Sequence, residues 1–511
     1  MNRRHFFSVA GGAAVAASAT AVAAHVRPLG GNRAEPEILM PTVNRKAPSA
    51  PAGATGQLSS WLADLGYAAI PSQIVDRSKN VILDGFGCAL VGAQLPWSRI
   101  AVDTMAGFEG AGDGVVIGWG RTIARPASVL LNGTLIQAFE LDDVYANAPV
   151  HLSSLVLPAL LATAIGKPMS GKDFLTAAIA GFETGPRVGL ALHGAQMLTR
   201  GWHSGSVFGT HAAAAAAGVA IGLSPAQMED ALGLAGTQSS GLMAAQFGSM
   251  VKRMHHGLAS RAGYTGAMLA QGGYTGIKQV FEAPYGGYLA MFGEGHDPDA
   301  TQISKNLGTK WETLGISIKP YATMGASHGP LDAMFAIRAR RPFVPAEVAR
   351  IDIAMSAAGF NHGWWDAKRP LDSTGAQMHA GYAMAAAILD GVVLPAQFAP
   401  ARLDADDIWA LIARIHARHE QSFDKTPLES IVTITFTDGT KQEEHLAQSK
   451  TYGEVMSRAD IVAKYHSLTK GIISADRRDM IERMVLGLEQ MEDVRPLIEA
   501  LAVPVKCVFE V

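Results

Sequence analysis

The sequence has 511 residues, of which 48% are apolar and 17% are charged, and its formal net charge is −3. This composition excludes a disordered chain, and the near-neutral charge excludes a basic surface for nucleic acid. The length predicts two or more folding units rather than one simple core.

The N-terminus has the pattern of an export signal. Arg3-Arg4 precedes an alanine-rich, weakly apolar stretch over 9–24. We predict a twin-arginine (Tat) signal peptide over 1–24 and a linker rich in Pro, Ala and Gly over 25–58. The mature protein is then periplasmic and has no membrane anchor. The alternative is a cytoplasmic protein in which the arginine pair occurs by chance.

From residue 59 onward, apolar residues recur at helical spacing, and short Gly, Pro or Ser stops separate the segments. Ser224 followed by Pro225 is typical of a helix start, with Ser as the cap and Pro in the first turn. We therefore predict an all-helical domain over 59–307. Its helices are expected at 73–90, 127–141, 152–165, 172–192, 207–221 and 225–232.

The pattern changes near Gly308. Residues 348–355 and 431–436 alternate apolar and polar side chains, as half-buried strands do. Asp438-Gly439 predicts a hairpin turn before a third strand at 441–445.

A helix expected at 378–389 lies between these strands in sequence, so this region reads as an α+β lid domain over 308–455. Residues 456–511 are again helical and are expected to return to the first domain. The predicted fold is mainly α with an α+β insertion, a large all-helical domain plus a smaller α+β lid domain.

Motifs for phosphate, dinucleotide or zinc binding are absent from the sequence. The two cysteines, Cys88 and Cys507, are far apart and form no CxxC pair. We therefore expect no metal and no organic cofactor, and side chains alone to perform the chemistry.

Carboxylates interrupt an apolar helix at Glu140, Asp142 and Asp143, and His151 follows them. Three carboxylates so close together repel one another, so at least one needs a raised pKa or a cationic partner. Catalysis is one interpretation of this cluster. A solvated helix end with acidic caps is the other.

Three further segments combine cations with histidines. His203 lies in a Gly/Ser loop before a helix, where it can meet an anion. Lys252 and His255 precede another alanine-rich stretch and suit carboxylate binding with proton transfer. Lys319, ahead of His328, can point into a cleft between the two domains. The alternatives are an ordinary loop histidine, a surface basic patch and a linker lysine in solvent.

Several short motifs follow one another in a definite order: Asn132-Gly133-Thr134 with Glu140 to Asp143 and His151, Gly181-Phe182-Glu183 with Arg187, Trp202-His203, Lys252 with His255 and Gly257, Lys319-Pro320-Tyr321 with His328, and Tyr382. Together they resemble the MmgE/PrpD family from roughly Ser59 to the C-terminus. The resemblance implies a homodimer whose active site lies between a helical domain and a lid. It also implies activities such as 2-methylcitrate dehydration, cis-aconitate decarboxylation and iminodisuccinate epimerisation, without metal or cofactor.

Proton transfer next to a carboxylate builds up negative charge, which cations and histidines in a desolvated cleft stabilise. We expect Lys252 and Lys319 to hold carboxylates of a small polycarboxylate substrate, and His203 and His255 to transfer protons. An aspartate of the acidic cluster orients a histidine, and Tyr382 donates a proton or a hydrogen bond. The expected catalytic residues are thus His203, His255, Lys252, Asp142, Asp143 and Tyr382, and the expected substrate-binding residues are Glu140, His151, Lys319 and His328.

Three positions depart from the decarboxylase pattern of the family. Glu140 stands where an aspartate is typical, Val144 where a threonine is, and Met324 where the lid has a histidine. These departures favour a hydro-lyase acting on a citrate-like di- or tricarboxylate. The alternatives are an epimerase or decarboxylase of the same family and, in another class, a non-catalytic exported carboxylate-binding protein.

Overall fold

A computed structural model describes residues 46–453 and 456–507 of the chain. The predicted signal over 1–24 and the predicted linker up to residue 45 lie outside the described residues, so export stays a prediction. The first helix begins at Ala54 and overlaps the end of the predicted linker over 25–58. Its residues Leu58 and Leu62 are buried in the core, which explains why the folded region begins before residue 59.

A large helical body forms from the first part of the chain. Its helices are α1 (Ala54–Asp64), α2 (Ser72–Gly92), α3 (Pro96–Ala106), α4 (Arg125–Ile136), α5 (Ser153–Gly166), α6 (Gly171–Ala191), α7 (Gly194–Thr199), α8 (Ser204–Ile221), α9 (Pro225–Gly236), α10 (Val251–Gln271), α11 (Tyr288–Phe292) and α12 (Thr301–Ser304). The cap predicted at Ser224 is confirmed, since Ser224 Oγ accepts from the Gln227 N–H at the start of α9.

Two short strand pairs are part of this body. One joins β1 (Gly114–Val116) to β2 (Arg121–Ile123), and the other joins β3 (Val144–Tyr145) to β4 (Ile316–Ser317). Because β4 pairs with the body, the chain leaves for the lid only after β4. The chain therefore enters the lid after Ser317, later in sequence than the boundary expected at residue 308.

Helix α8 is the centre of the body and packs against α6 and α10. It is long and apolar enough to cross a membrane, but 83% of it is buried among the other described helices, which is typical of a core helix. Small residues let the helix axes approach: a Cβ on Gly133 of α4 would lie 2.7 Å from the Cα of Gly257 in α10. This contact holds the start of α10 close to the segment that follows α4.

A four-stranded sheet with helices forms the lid. Its strands are β5 (Val348–Met355), β6 (Ile415–His419), β7 (Ser430–Phe436) and β8 (Lys441–Leu446), in the spatial order β6-β5-β7-β8. Its helices are α13 (His328–Arg340), α14 (Ala357–Gly363), α15 (Ser373–Met378), α16 (Ala380–Asp390), α17 (Pro400–Leu403), α18 (Asp406–Ile412) and α19 (Lys450–Gly453). Strand β6 runs parallel to β5, whereas the other neighbours are antiparallel. Gly439, with φ +83°, makes the predicted turn between β7 and β8.

The last helices of the chain pack on the body. They are α20 (Arg458–Thr469), α21 (Ala475–Leu486) and α22 (Arg495–Ala502). Helices α20 and α21 contact α2, and α22 contacts α5 and β1. Lys464 Nζ of α20 lies 2.6 Å from Asp84 Oδ1 of α2 and donates to the Leu141 carbonyl oxygen. The predicted fold class, a large helical domain plus a small α+β domain, is confirmed.

Helix α4 ends earlier than predicted. The expected helix over 127–141 stops at Ile136, a 3-10 turn covers Gln137–Phe139, and Glu140 takes the left-handed conformation with φ 55°. A positive φ is uncommon for a residue with a side chain and persists where its surroundings hold it. The chain reverses here, and this places the acidic cluster beside α10.

Candidate functional site

A cavity lies between the helical body and the lid. Its empty volume is about 780 Å³, which includes the part open to solvent. The body contributes Glu140, His151, His203 and Lys252 to its lining, and Lys319 reaches it from the segment between the two domains. The structure therefore brings five of the ten predicted site residues to one wall of this cavity.

Glu140 is the centre of a buried ion cluster. Its carboxylate lies 2.6 Å from Lys252 Nζ, 2.5 Å from Arg253 Nη1 and 3.2 Å from Lys319 Nζ. Burial alone raises the pKa of a carboxyl, but Lys252, Lys319 and Arg253 together lower the pKa of Glu140 well below its usual value. Glu140 is therefore an anion held by three cations, not a solvated helix cap.

Two of these cations keep access to the cavity. Burial lowers the pKa of Lys252 to about 8, although Glu140 opposes that shift. Lys319 Nζ donates to the Glu140 backbone carbonyl oxygen at 3.3 Å as well as to its carboxylate. Arg253 is turned away, since its Nη2 donates to the side chain of Gln377. Lys252 and Lys319 line the cavity together with the one carboxylate of Glu140, so this part of the wall has excess positive charge that favours an anionic ligand.

Three histidines pack together beside the cluster. His203 Nδ1 and His255 Nδ1 are 2.8 Å apart, and the rings of His203 and His256 stack with centroids 5.0 Å apart. Burial, followed by Lys252, lowers the pKa of His203 well below its usual value and that of His255 to about 4. A bond between two ring nitrogens needs one N–H and one lone pair, so the tautomers of His203 and His255 are coupled: one ring carries hydrogen on Nδ1 and the other does not.

His255 itself is absent from the cavity wall. Only His203 of that pair lines the cavity, and it directly precedes α8. His255 therefore acts through His203 and is a positioning residue rather than a group that touches a ligand. His256, behind both, forms a 2.9 Å contact from its Nδ1 to Ser154 Oγ.

The two aspartates of the acidic cluster have different surroundings. Asp142 Oδ1 lies 3.2 Å from His151 Nδ1, so it can orient His151, whose ring lines the cavity. Asp143 instead accepts from the backbone N–H groups of Leu152 and Ser153, where it caps the start of α5. Both oxygens of Asp143 are thus used in holding the start of α5, and the catalytic role expected for it stays a prediction.

Two further residues predicted for the site, Tyr382 and His328, also lie outside the cavity wall. The Tyr382 hydroxyl donates to the Gln397 carbonyl oxygen at 2.6 Å, inside the lid core. The ring nitrogens of His328 lie 3.0 Å from Thr451 Oγ1 and 3.3 Å from the Thr323 carbonyl oxygen. Tyr382 and His328 satisfy their hydrogen bonds within the lid, so neither is placed to touch a ligand.

The sequence did not identify several residues that the structure places at the site. Arg253 and His256 belong to the same basic run as Lys252, and helical spacing would have put all three on the inner side of α10. Two lid residues reach the cavity: His362 lies at the C-terminal end of α14, and Tyr452 lies within α19. No motif surrounds them, and only the packing of the lid brings them there.

The arrangement is suited to acid–base chemistry on a polyanion. The Lys252 and Lys319 ammonium groups can each hold a carboxylate, and the imidazoles of His151 and His203 lie next to them. A bound ligand would be enclosed between the body and the lid, where water is scarce and charge interactions are strong. Such a site stabilises negative charge that develops on carbon beside a carboxylate.

Comparison with known proteins gives a consistent result. Residues 56–300 match the MmgE/PrpD N-terminal domain and residues 321–490 match the MmgE/PrpD C-terminal domain. The chain is 41% identical over 467 residues to the cis-aconitate decarboxylase-like protein oryM of Aspergillus oryzae, covering 88% of this chain and 97% of that protein. It is 39% identical over 478 residues to the cis-aconitate decarboxylase of Aspergillus terreus, covering 90% and 98%. With the cis-aconitate decarboxylase of Homo sapiens the identity is 25% over 456 residues, covering 85% and 92%.

Proposed function

Because this chain belongs to the MmgE/PrpD family, we propose that it is a lyase that decarboxylates a small unsaturated tricarboxylic acid of the cis-aconitate type. The observation that carries the proposal is the cavity wall on which Lys252 and Lys319 adjoin the imidazoles of His151 and His203. Relatives that match this chain over almost their whole length carry the decarboxylase name.

The proposed reaction follows from these groups. Lys252 and Lys319 hold two of the substrate carboxylates, and the third carboxylate faces the less polar part of the cavity. Loss of that carboxylate as carbon dioxide leaves an electron pair on carbon, which spreads onto the neighbouring unsaturated acid. The lysine ammonium groups stabilise this charge, and a proton then adds to carbon.

The hydro-lyase favoured by the sequence remains the second candidate. Glu140, Val144 and Met324, the three departures from the decarboxylase pattern, all line the cavity. They therefore alter the surface that a substrate contacts, and a citrate-like acid that loses water is the alternative substrate. We place decarboxylation first because relatives of this chain are named for that activity.

A single assay separates these functions. The purified protein is incubated in heavy water with a panel of saturated and unsaturated di- and tricarboxylic acids, and products are followed by NMR together with carbon dioxide release. We expect carbon dioxide and a product with one deuterium bound to carbon, at a position of the delocalised system that NMR identifies. Loss of water from a hydroxy acid without carbon dioxide would establish the hydro-lyase instead. Tight binding of an acid with no exchange or turnover would establish the carboxylate-binding protein.

We also propose that the protein is a homodimer that associates through α3 and α10. Val251, Met254 and Leu258 recur at helical spacing on one face of α10, and Val251 and Leu258 are exposed, whereas Lys252 is buried. Ile100 and Phe108, at and just after α3, extend this surface, with 53% and 69% of their area exposed. A two-fold axis would let the stripe on α10 pack against its own copy, which removes the apolar surface from water.

Substitution Leu258→Glu tests this surface. A charge in the centre of the apolar stripe cannot be buried without a partner, so the variant should run as a monomer. Light scattering after gel filtration gives the mass of each species. The matched control is Leu314→Glu, because Leu314 is similarly exposed, at 42% of its area, and lies away from α3 and α10. A wild-type monomer, or an unchanged Leu258→Glu dimer, would contradict this interface.

A further inference from the structure

The lid contributes few polar groups to the cavity. Among the described lid residues that line it, His362 and Tyr452 carry polar side chains, whereas Met324, Leu428 and their lining neighbours are apolar or glycine. The lid therefore offers a ligand an apolar surface interrupted at two points. Any group that acts on the substrate from this side must be one of these two.

The position of His362 is fixed from several directions. Helix α14 begins at a cap in which Ser356 Oγ accepts from the Gly359 N–H, and it packs against α7 of the body. A Cβ at Gly363 would overlap the Met324 methyl group, so α14 approaches the Met324 segment closely. His362 thus lies where the lid meets the body, on a short helix held at both sides.

The imidazole of His362 forms no hydrogen bond within residues 46–453 and 456–507. Among the other cavity histidines, His203 is bonded to His255, and His151 Nδ1 lies 3.2 Å from Asp142 Oδ1 without hydrogen-bond geometry. A neutral imidazole offers one N–H and one lone pair. Because His362 is half-buried and lines the cavity from the lid, a ligand bound there can take up both.

We propose that His362 is a catalytic residue that donates the proton to the substrate carbon during decarboxylation. The inference rests on the proposed function. The bond between the substrate carbon and its carboxylate breaks, and carbon dioxide leaves. The electron pair, which is shared with the neighbouring unsaturated acid, takes the proton from the imidazolium N–H of His362 to form a C–H bond, and His362 becomes neutral. The step thus converts one carboxylate and one proton into carbon dioxide and a C–H bond, and it needs no oxidant or reductant.

The charges that face His362 explain how it obtains a proton at the right moment. In the empty cavity, burial and Lys252 lower its pKa to about 3, with Lys319 and His151 acting in the same direction and Glu140 against them. A bound tricarboxylate brings negative charge next to the ring and raises that pKa. Binding of the ligand and protonation of His362 are therefore coupled, so His362 becomes able to donate a proton when the ligand binds.

Tyr452 is less suited to this step. Its hydroxyl sits against Gly325, where a Cβ would overlap it, and its ring stacks on His328 with centroids 6.1 Å apart. Burial, followed by Glu140 and Asp332, raises the pKa of the phenol, which makes it a weaker acid. Tyr452 can hold a substrate carboxylate by a hydrogen bond, but protonation of carbon falls to His362.

The test compares His362→Gln with His419→Gln, a control on the exposed surface of the lid where His419 pairs with Asp424. Carbon dioxide release, binding of an unreactive saturated tricarboxylate by calorimetry, and the melting temperature are measured for each. We expect His362→Gln to lower kcat by about 100-fold or more, the usual contribution of a positioned acid, with the Kd changed by only a few-fold. The control should match the wild type in all three.

The outcomes are distinguishable. Near-normal turnover by His362→Gln, with an active wild type, would overturn this inference and leave the proposed function standing. Loss of turnover in Tyr452→Phe but not in His362→Gln would assign the proton to Tyr452 and also overturn it. A wild-type protein that releases no carbon dioxide from any acid would overturn the proposed function and this inference together. Should His362→Gln not fold, His362→Asn gives the same comparison.

Discussion

Replacing Lys252 by methionine is expected to lower kcat/KM by about 100- to 1,000-fold, the loss typical when one preorganised group that stabilises developing charge is removed. Methionine keeps most of the length and the apolar stem of lysine, so the loss reports the ammonium group. Glu140 retains Arg253 and Lys319 as partners in this variant, and the cluster stays neutralised. Steady-state carbon dioxide release measures the effect.

The matched control is Lys441→Met, on the exposed strand β8 of the lid. It should leave kcat/KM unchanged, which separates the charge of Lys252 from a general effect of removing a lysine. Equal activity of both variants would mean that Lys252 does not stabilise charge in the reaction.

The same residue sets an upper limit on the working pH. Burial lowers the pKa of Lys252 to about 8, so the ammonium is present below that pH and is lost above it. We expect kcat/KM to fall as pH rises through about 8, since kcat/KM reports the free enzyme. In Lys252→Arg this decline should move to higher pH, because arginine stays charged. A profile that is flat to pH 10 would contradict the assignment.

Replacing Glu140 by glutamine is expected to destabilise the fold by about 3–5 kcal/mol, because it leaves buried cations without their counter-charge. Lys252, Arg253 and Lys319 all pair with this one carboxylate. Glutamine has nearly the same shape, so the change tests charge rather than packing. Urea unfolding at neutral pH measures the difference in the free energy of unfolding.

The pH dependence of stability supplies a second measurement of Glu140. Its pKa is lowered in the fold, so its contribution is present above the unfolded value near 4.5 and is lost as pH falls below it. The difference between wild type and Glu140→Gln should therefore shrink on acidification. The control Asp113→Asn breaks an exposed pair with Arg125 and should cost less than about 1 kcal/mol. Equal losses of unfolding free energy in Glu140→Gln and Asp113→Asn would contradict the interpretation that Glu140 is the centre of a buried ion cluster.

Regular elements of the fold follow from local sequence patterns. The strand predicted at 348–355 has the same bounds in β5, and the helix predicted at 207–221 lies within α8. Strand β6 was missed because it is an edge strand whose residues Ile415–His419 are mostly polar and exposed. The helix predicted to reach residue 141 stops at Ile136, since contacts with α10 and the lid segment, not local propensity, hold Glu140 in its left-handed turn.

The body half of the site was accessible to sequence reasoning because clustered polar residues interrupt apolar helices there. Lys252 and His203 were found in this way, and both line the cavity. Tyr382 was placed in the site by resemblance, yet its helix turns the hydroxyl toward Gln397 within the lid. His362 was not found, because its neighbours in sequence carry no recurring pattern and the cations that it faces across the cavity, Lys252 and Lys319, belong to distant segments. Sequence spacing cannot give a contact that depends on how two domains meet.

The return of the last helices to the body has a consequence for biosynthesis. Helix α2 acquires its neighbours α20 and α21, and Asp84 acquires the counter-charge of Lys464, only from the final segment of the chain. Until α20 and α21 have been made, the body therefore has an open apolar face and an unpaired Asp84 carboxylate. We expect the native body to close only when this segment is available, so its apolar face must be kept from aggregating until then.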